Sequence, residues 1–299
     1  MLDLQQINSF LAVVRHGSFV SAAEAANLSK AAISRHVADL EAHLGLRLLH
    51  RTTRRLSLTE DGQRFHARAI ELATALDELE TETVSHGGHA VGMLRINAPL
   101  SFGLLHLAPL WPRFLAENPN VSLDIDLNDR IVDLVDEGYD LAIRITNLPD
   151  SRLISRQLAS TRMALCASPQ YLKKHGRPKT PKDLAGHHII AYSYLTSKDD
   201  WRFAGPQGEV RVKINPRIRT NSGDTCRLAA LAHQGIIMQP NFLIGEDLKQ
   251  GTLVELLRDY DASTLGIHVV YASRKHMSLK MRRMLDFLIN AFEHPSWQR

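Results

Sequence analysis

One stretch of the chain, Ser18 to Thr59, leaves few folds open to it. In SFVSAAEAANLSKAAISRHVADLEAHLGLRLLHRTTRRLSLT, Ile33, Val37, Leu40 and Leu44 recur at four, three and four residues, the stripe that an amphipathic helix buries. The preceding segment carries Ala22, Ala23, Ala25 and Ala26, small enough for two helix backbones to approach closely. Ser21-Ala-Ala-Glu24 has capping-box spacing and is expected to start that helix, with Ser18 as a competing cap. After Gly45 the period changes to two: Leu46/Leu48 and Leu56/Leu58 alternate as half-buried strands around a tip of Arg51, Thr52, Thr53, Arg54 and Arg55. Helix, tight turn, helix and basic hairpin together predict a winged helix-turn-helix.

Such a module presents the first turns of its second helix to the major groove of double-stranded DNA. Here those turns hold Ser29, Lys30, Ala31, Ala32, Ser34 and Arg35. Lys30 and Arg35 suit guanine O6/N7, Ser34 suits a base or a phosphate, and the Ala31 and Ala32 methyls suit a thymine methyl. The hairpin tip, with Arg51, Thr52, Arg54 and Arg55, reads as a phosphate clamp. Charge supports this placement. Of a net +4 for 299 residues, the first 58 residues carry an excess of three positive charges. The basic surface is therefore local, and binding through it should release counterions and depend on salt.

The same residues carry a family resemblance. SFVSAAEAANLSKAAISRHVADLEAHLGLRLLHRTTRRLSLTEDG is similar, almost position by position, to the N-terminal signature of the LysR-type transcriptional regulators. Lys30 and Ala31 depart from the Gln and the Pro or Ser that many members carry there, which bears on base preference. The resemblance implies an α/β multidomain protein: a winged helix-turn-helix over residues 1–59, a linker helix over 60–86, a hinge at 87–92 and a two-lobed effector domain over 93–299. That domain would resemble periplasmic solute-binding proteins, with lobe 1 at about 93–162 and 267–299 and lobe 2 at about 163–266. It further implies a homodimer, often within a homotetramer, reading an inverted repeat, and it admits RNA polymerase as a partner.

The linker has its own signal. Phe65, Ala69, Leu72, Leu76, Leu79 and Thr83 recur at alternating intervals of four and three, a heptad seam. A helix between two domains has no core of its own, so the seam is expected to pair with the same helix of a second subunit, with Phe65, Leu72, Leu76 and Leu79 in the contact. His86-Gly-Gly-His-Ala-Val-Gly92 is glycine-rich and aperiodic, as a hinge is.

From Met93 strands and helices alternate, the order of an α/β sheet. In open α/β arrangements ligands bind beyond strand C-termini, near helix N-termini. Such places hold Ser101 and Phe102 after LRINA, Asn128 after VSLDIDL, and Arg144 near the end of YDLAIRI. Across the cleft lie Tyr194, Thr196 and Trp201, then Asn221 and Ser222 before a helix. By resemblance these segments would hold a small effector, anionic or aromatic in character. Each also has a structural alternative: Ser101 and Ser222 as caps, Phe102 and Trp201 as core, Arg144 in an ion pair.

Other classes fall away. No GxSxG, HExxH, P-loop or GxGxxG occurs, so neither an enzyme nor a cofactor site is expected. Cys166 and Cys226 are too few and too far apart for a zinc site, and no metal is expected. No apolar run approaches the roughly 20 residues of a membrane span, and MLDLQQINSF has no signal-peptide pattern; a cytoplasmic protein is expected.

Overall fold

The structure, a computed structural model, describes residues 2–51, 56–84, 89–134, 137–147, 153–195, 199–272 and 277–298. Three helices and a hairpin form the head: α1 (Leu4–His16), α2 (Phe19–Ala25), α3 (Lys30–Leu44), β1 (Leu49–Arg51) and β2 (Leu56–Leu58). Each helix begins on a side-chain cap. Asp3 accepts from the Gln5 N–H, Ser18 from Val20 and Ser21, and Ser29 from Ala32. Ser18, not Ser21, therefore starts α2, because the chain is already helical at Ser21. Gly17 and Gly45, at φ 64° and 65°, end α1 and α3 in the left-handed region that glycine enters without a Cβ penalty.

The head core gathers Ile7, Phe10 and Val13 of α1, Ala22 and Ala23 of α2, Ile33, Val37 and Leu40 of α3, and Leu48 and Leu49 at the wing. The wing strands pair antiparallel from Leu49↔Leu58 to Arg51↔Leu56. Leu46 is exposed and lies before this pairing, so the first strand starts later than its alternation with Leu48 suggests.

Helix α4 (Glu60–Val84) opens with Glu60 and Asp61 in its first turn, where acidic groups complement the macrodipole. Its start is pressed to the wing: a Cβ on Gly62 would sit 2.0 Å from the Leu48 carbonyl oxygen. Here the heptad seam divides. Phe65 meets Phe10 edge-to-face at 5.5 Å and Ala69 is buried in the head core, whereas Leu72 is 44% exposed and Leu76 is half-buried. Phe65 thus belongs to the core of its own subunit. The side chain of Leu79, like residues 85–88 at the start of the hinge, lies outside the described set.

Beyond the hinge come β3 (Gly92–Ala98), α5 (Leu100–Phe102), a π-helical turn (Gly103–Leu107), a 3-10 turn (Ala108–Leu110) and α6 (Trp111–Glu117). Pro109 and Pro112 lack the N–H an α-helix needs, and the backbone between α5 and α6 changes helix type accordingly. The remaining elements are β4 (Val121–Leu127), β5 (Leu141–Thr146), β6 (Ile154–Ala167), α7 (Pro169–His175), β7 (Ile189–Tyr192), β8 (Asp200–Gly205), β9 (Gly208–Lys213), β10 (Pro216–Thr220), α8 (Gly223–Leu231), β11 (Ile237–Pro240), α9 (Asn241–Gln250), β12 (Val254–Leu256), β13 (Thr264–Tyr271) and α10 (Leu279–Ala291).

Strand β6 passes through both lobes. Its first part, Ile154–Arg162, pairs antiparallel with β13; its second, Met163–Ala167, pairs with β11 and β12. The path β11-β6-β13-β5-β3-β4 makes one continuous sheet. Parallel β10 and β7 and the β8-β9 hairpin complete the second lobe. One core runs from Leu94, Ile96 and Phe102 to Met284 and Leu288 of α10 and on to Cys226 and Ile244. A second packs Tyr171, Trp201, Phe203, Met238 and Leu256. Cys166 and Cys226 are both free thiols and buried; burial pushes the Cys166 thiol far up and that of Cys226 up to about 11.

Candidate functional site

Two sites emerge. The first is the outer face of α3. Burial of Ile33, Val37 and Leu40 fixes the helix rotation, so the periodicity turns Lys30, Ala31 and Arg35 outward, exposed, with Ser34 half-buried beside them. Among the described residues neither Lys30 nor Arg35 has a carboxylate partner. Ser29 accepts the Ala32 N–H at 3.1 Å, so its oxygen serves as the helix cap and its O–H is what it can offer outward. Ala32 is half-buried and presents less methyl surface than Ala31.

Two contacts that the sequence pattern did not disclose hold this face in place. The Ser9 Oγ and His36 Nδ1 meet at 2.8 Å, tying α1 to α3. The Glu41 carboxylate, 5% exposed, accepts the N–H groups of Leu48 at 2.9 Å and Leu49 at 3.2 Å and pairs with Arg47 at 3.2 Å. It clips the end of the reading helix to the wing. A glutamate on a helix reads as a solvated group, and only the return of β1 explains its burial. Arg51 ends β1 opposite Leu56; Thr52, Arg54 and Arg55 lie outside the described residues.

The second site is the cleft at the strand C-termini of the first lobe. Parallel β3, β4 and β5 bring Asn97, Asn128 and Arg144 together. Arg144 Nη1 donates to Asn97 Oδ1 at 2.6 Å and to the Ile143 carbonyl at 3.0 Å. Its partner is thus an amide rather than the carboxylate an ion pair would supply. Burial lowers the Arg144 pKa, with Glu137 acting in the opposite sense. Asn128 donates to Asp126 at 2.7 Å, and the Tyr139 hydroxyl donates to the same carboxylate at 2.6 Å. Burial and that bond push Tyr139 up to about 12.

At the start of α5 the Leu100 N–H donates to Asp129 at 2.8 Å, and the Ser101 hydroxyl donates to Asp224 at 2.6 Å. Ser101 is therefore not a cap; it joins the first lobe to α8 of the second. The fit is close, since a Cβ on Gly223 would lie 3.2 Å from Ser101 Oγ and 3.3 Å from Gln239 Oε1. Three buried polar atoms in this region, Arg144 Nη2, Asn128 Oδ1 and Gln239 Nε2, have no hydrogen-bond partner among the described residues. Buried polar groups are nearly always satisfied, and these three stand out against that rule. Gln239 was not among the expected residues, although a lone amide in the apolar run GIIMQP is the kind of signal that would have found it.

Several expected cleft residues lie elsewhere. Phe102 is fully buried, packed against Phe242, Phe292 and Trp297. Trp201 is fully buried in the core of the second lobe. Both are large apolar groups whose burial against neighbouring elements outweighs presentation to a cleft. Ser222 caps α8, accepting from Thr225 at 3.2 Å; Asn221 and Tyr194 are exposed. Thr196 lies outside the described residues.

The family description "LysR substrate binding domain" matches residues 87–293, and "Bacterial regulatory helix-turn-helix protein, lysR family" matches residues 4–63. An HTH-type transcriptional regulator of Haemophilus influenzae is 37% identical over 281 residues, covering 94% of this chain and 98% of its own. Among solved structures, CrgA of Neisseria meningitidis, described as a LysR-type transcriptional regulator, is 34% identical with a TM-score of 0.64, covering 97% of this chain and 99% of that one. The Vibrio cholerae virulence activator AphB is 29% identical with a TM-score of 0.66, covering 96% and 99%.

Proposed function

The chain belongs to the LysR family of transcriptional regulators, and from that premise we propose that it reads DNA through the N-terminal face of α3 under control of a small molecule received in the interlobe cleft. The observation that carries this reading is the pairing of a fully buried stripe, Ile33, Val37 and Leu40, with exposed Lys30 and Arg35 one helix face away that make no ion pair among the described residues. A cation that no carboxylate neutralises is available to phosphate or to a guanine edge. The protein is a regulator and not an enzyme, and none of its described helices is long and apolar enough to cross a membrane. Its place of action is the chromosome, in the cytoplasm.

Assembly follows from what α4 leaves uncovered. With Phe65 and Ala69 drawn into the head, the segment from Leu72 through Leu76 is what a second copy would bury, giving a homodimer with two heads for two half-sites. Leu76→Lys is expected to dissociate that dimer in sedimentation velocity; an unchanged sedimentation coefficient excludes the pairing.

The effector is a polar molecule rather than a simple carboxylate or a stacked aromatic. The anion-receiving groups at the start of α5, the Leu100 N–H and the Ser101 hydroxyl, already serve Asp129 and Asp224, and two of the three expected aromatics, Phe102 and Trp201, are core. What supports a ligand is the orphan set: a donor on Arg144, a donor on Gln239 and an acceptor on Asn128.

Genomic footprinting would recover the bound sites. Anisotropy on a recovered site between about 50 and about 200 mM salt should then show affinity falling log-linearly, with the sequence preference retained. A thermal-shift panel of neutral polar metabolites, carboxylates and aromatics tests the cleft, since a ligand selective for the native state raises the midpoint. Equal affinity for all duplexes at low salt defeats the first half of the proposal, and a panel without a shift defeats the second.

A further inference from the structure

The second lobe carries a basic groove that neither DNA reading nor the cleft uses. It is open and large, ≈ 720 Å³, within the range of about 300–1,000 Å³ usual for small-molecule sites. Four elements converge on it: Lys173, Lys174 and His175 from α7, His188 before β7, Arg217 from β10 and His233 just after α8. No carboxylate is among its lining residues.

That composition is unlike the surface around it. Several arginines elsewhere meet acids: Arg130 with Glu137, Arg162 with Glu255, Arg211 with Glu209. The contrast holds within a single strand, for Arg219 of β10 pairs with Asp199, while Arg217 turns its Nη1 to His188 Nδ1 at 3.2 Å. Among the described residues Lys173, Lys174 and Arg217 have no carboxylate within ion-pair distance. Three fixed cations held near one another repel, and a cluster of this kind is relieved by an anion.

The groove is also built rather than merely crowded. Tyr171, 1% exposed, stacks on His175 with ring centroids 4.5 Å apart, and its oxygen accepts the His188 N–H at 2.9 Å. Because Arg217 donates to His188 Nδ1, that nitrogen carries no proton and Nε2–H is left as a donor. His233 holds a left-handed backbone, φ 63°, at a position after a helix where glycine is usual. Its Nδ1 meets the Ser168 hydroxyl at 2.8 Å, and Ser168 also caps α7. Strain kept at a ring whose orientation is fixed by a hydrogen bond is a feature of sites more often than of idle surface.

We propose that this groove is an anion site separate from the interlobe cleft, and that it takes a small molecule bearing a phosphate or pyrophosphate group. The chemistry is a match of counts and shape: such a group offers many acceptor oxygens to Lys173, Lys174, the Arg217 N–H groups that His188 does not take, and His188 Nε2. His233, at the far end of α8 from Asp224 of the cleft, places the two sites on one helix.

The test is isothermal titration of the full chain with inorganic pyrophosphate at constant ionic strength. Saturable binding is expected, weakened about tenfold or more in Lys174→Gln/Arg217→Gln, and held within about twofold in two controls. Lys179→Gln/Lys182→Gln removes nearby charge outside the groove, and Arg35→Ala removes a cation from the reading helix. Absence of saturable heat overturns the assignment. So does a comparable loss in the Lys179/Lys182 control, which would make the attraction diffuse, or in Arg35→Ala, which would place the anion on the head. Circular dichroism of each variant separates lost binding from lost folding.

Discussion

Arg35 on α3 and Arg144 on β5 both stand at surfaces that we propose meet another molecule, yet they live in different solvents. Arg35 is exposed and, among the described residues, makes no ion pair, so its charge is screened by counterions that a DNA phosphate or base can displace. Arg144 is half-buried, its Nη1 taken by Asn97 and Ile143 and its Nη2 without a partner among the described residues. Desolvation lowers its pKa, and a group so placed answers to hydrogen-bond geometry more than to salt. On the proposed reading the head recognises by available charge, the cleft by pre-arranged donors and acceptors. The same residue type performs either task once burial is changed.

The contrast depends first on the head holding its shape, and there the largest effect is expected. Glu41→Ala leaves the Leu48 and Leu49 N–H groups without their acceptor, at about 1–3 kcal/mol for each unsatisfied group. Urea unfolding should show a loss of about 3 kcal/mol, and operator binding should fail with it. A loss below about 1 kcal/mol would mean the wing is held by other contacts. Next come the two arginines, whose substitutions should be opposite in effect. Arg35→Ala is expected to cost about 2 kcal/mol at the operator with an unchanged thermal midpoint. Arg144→Ala should cost about 1.5 kcal/mol of stability while operator affinity, measured without effector, stays within about twofold. If Arg144→Ala weakens DNA binding as Arg35→Ala does, the division of labour is wrong. The smallest effect belongs to Ser101→Ala, which removes one hydrogen bond between the lobes. Asp224 is half-buried and regains water, so about 1 kcal/mol is expected in thermal unfolding; no change would show that the bond does not hold the lobes together.

How much of this could be seen in the residue order depends on how the site is built. The reading face is one helix, so its stripe of Ile33, Val37 and Leu40 orients Lys30 and Arg35 without reference to anything distant. The cap of α2 was ambiguous because Ser18 and Ser21 both fit the local rule, and only the backbone at Ser18 decides it. Periodicity in α4 disclosed an apolar seam but not its partner: Phe65 and Ala69 are covered by the head, which no spacing within the helix can report. The cleft is the least legible part in the residue order. Its polar network joins residues such as Asn97 and Arg144, or Ser101 and Asp224, that are far apart in the chain. Phe102 and Trp201 looked like ligand contacts by position and are core by packing. Large aromatics near a strand end satisfy both descriptions until neighbouring elements close over them.

The passage of β6 through both lobes has a practical consequence. Because its residues Ile154–Arg162 bond to β13 and Met163–Ala167 to β11 and β12, the second lobe is no appendage that can be trimmed away. Excising residues 163–266 would cut β6 and β13 in mid-strand and leave Ser160–Arg162 without their partners Thr264–Gly266, an unpaired edge of the kind that invites aggregation. Dissection of this regulator therefore has to cut at the hinge after α4 and keep the whole α/β half in one piece.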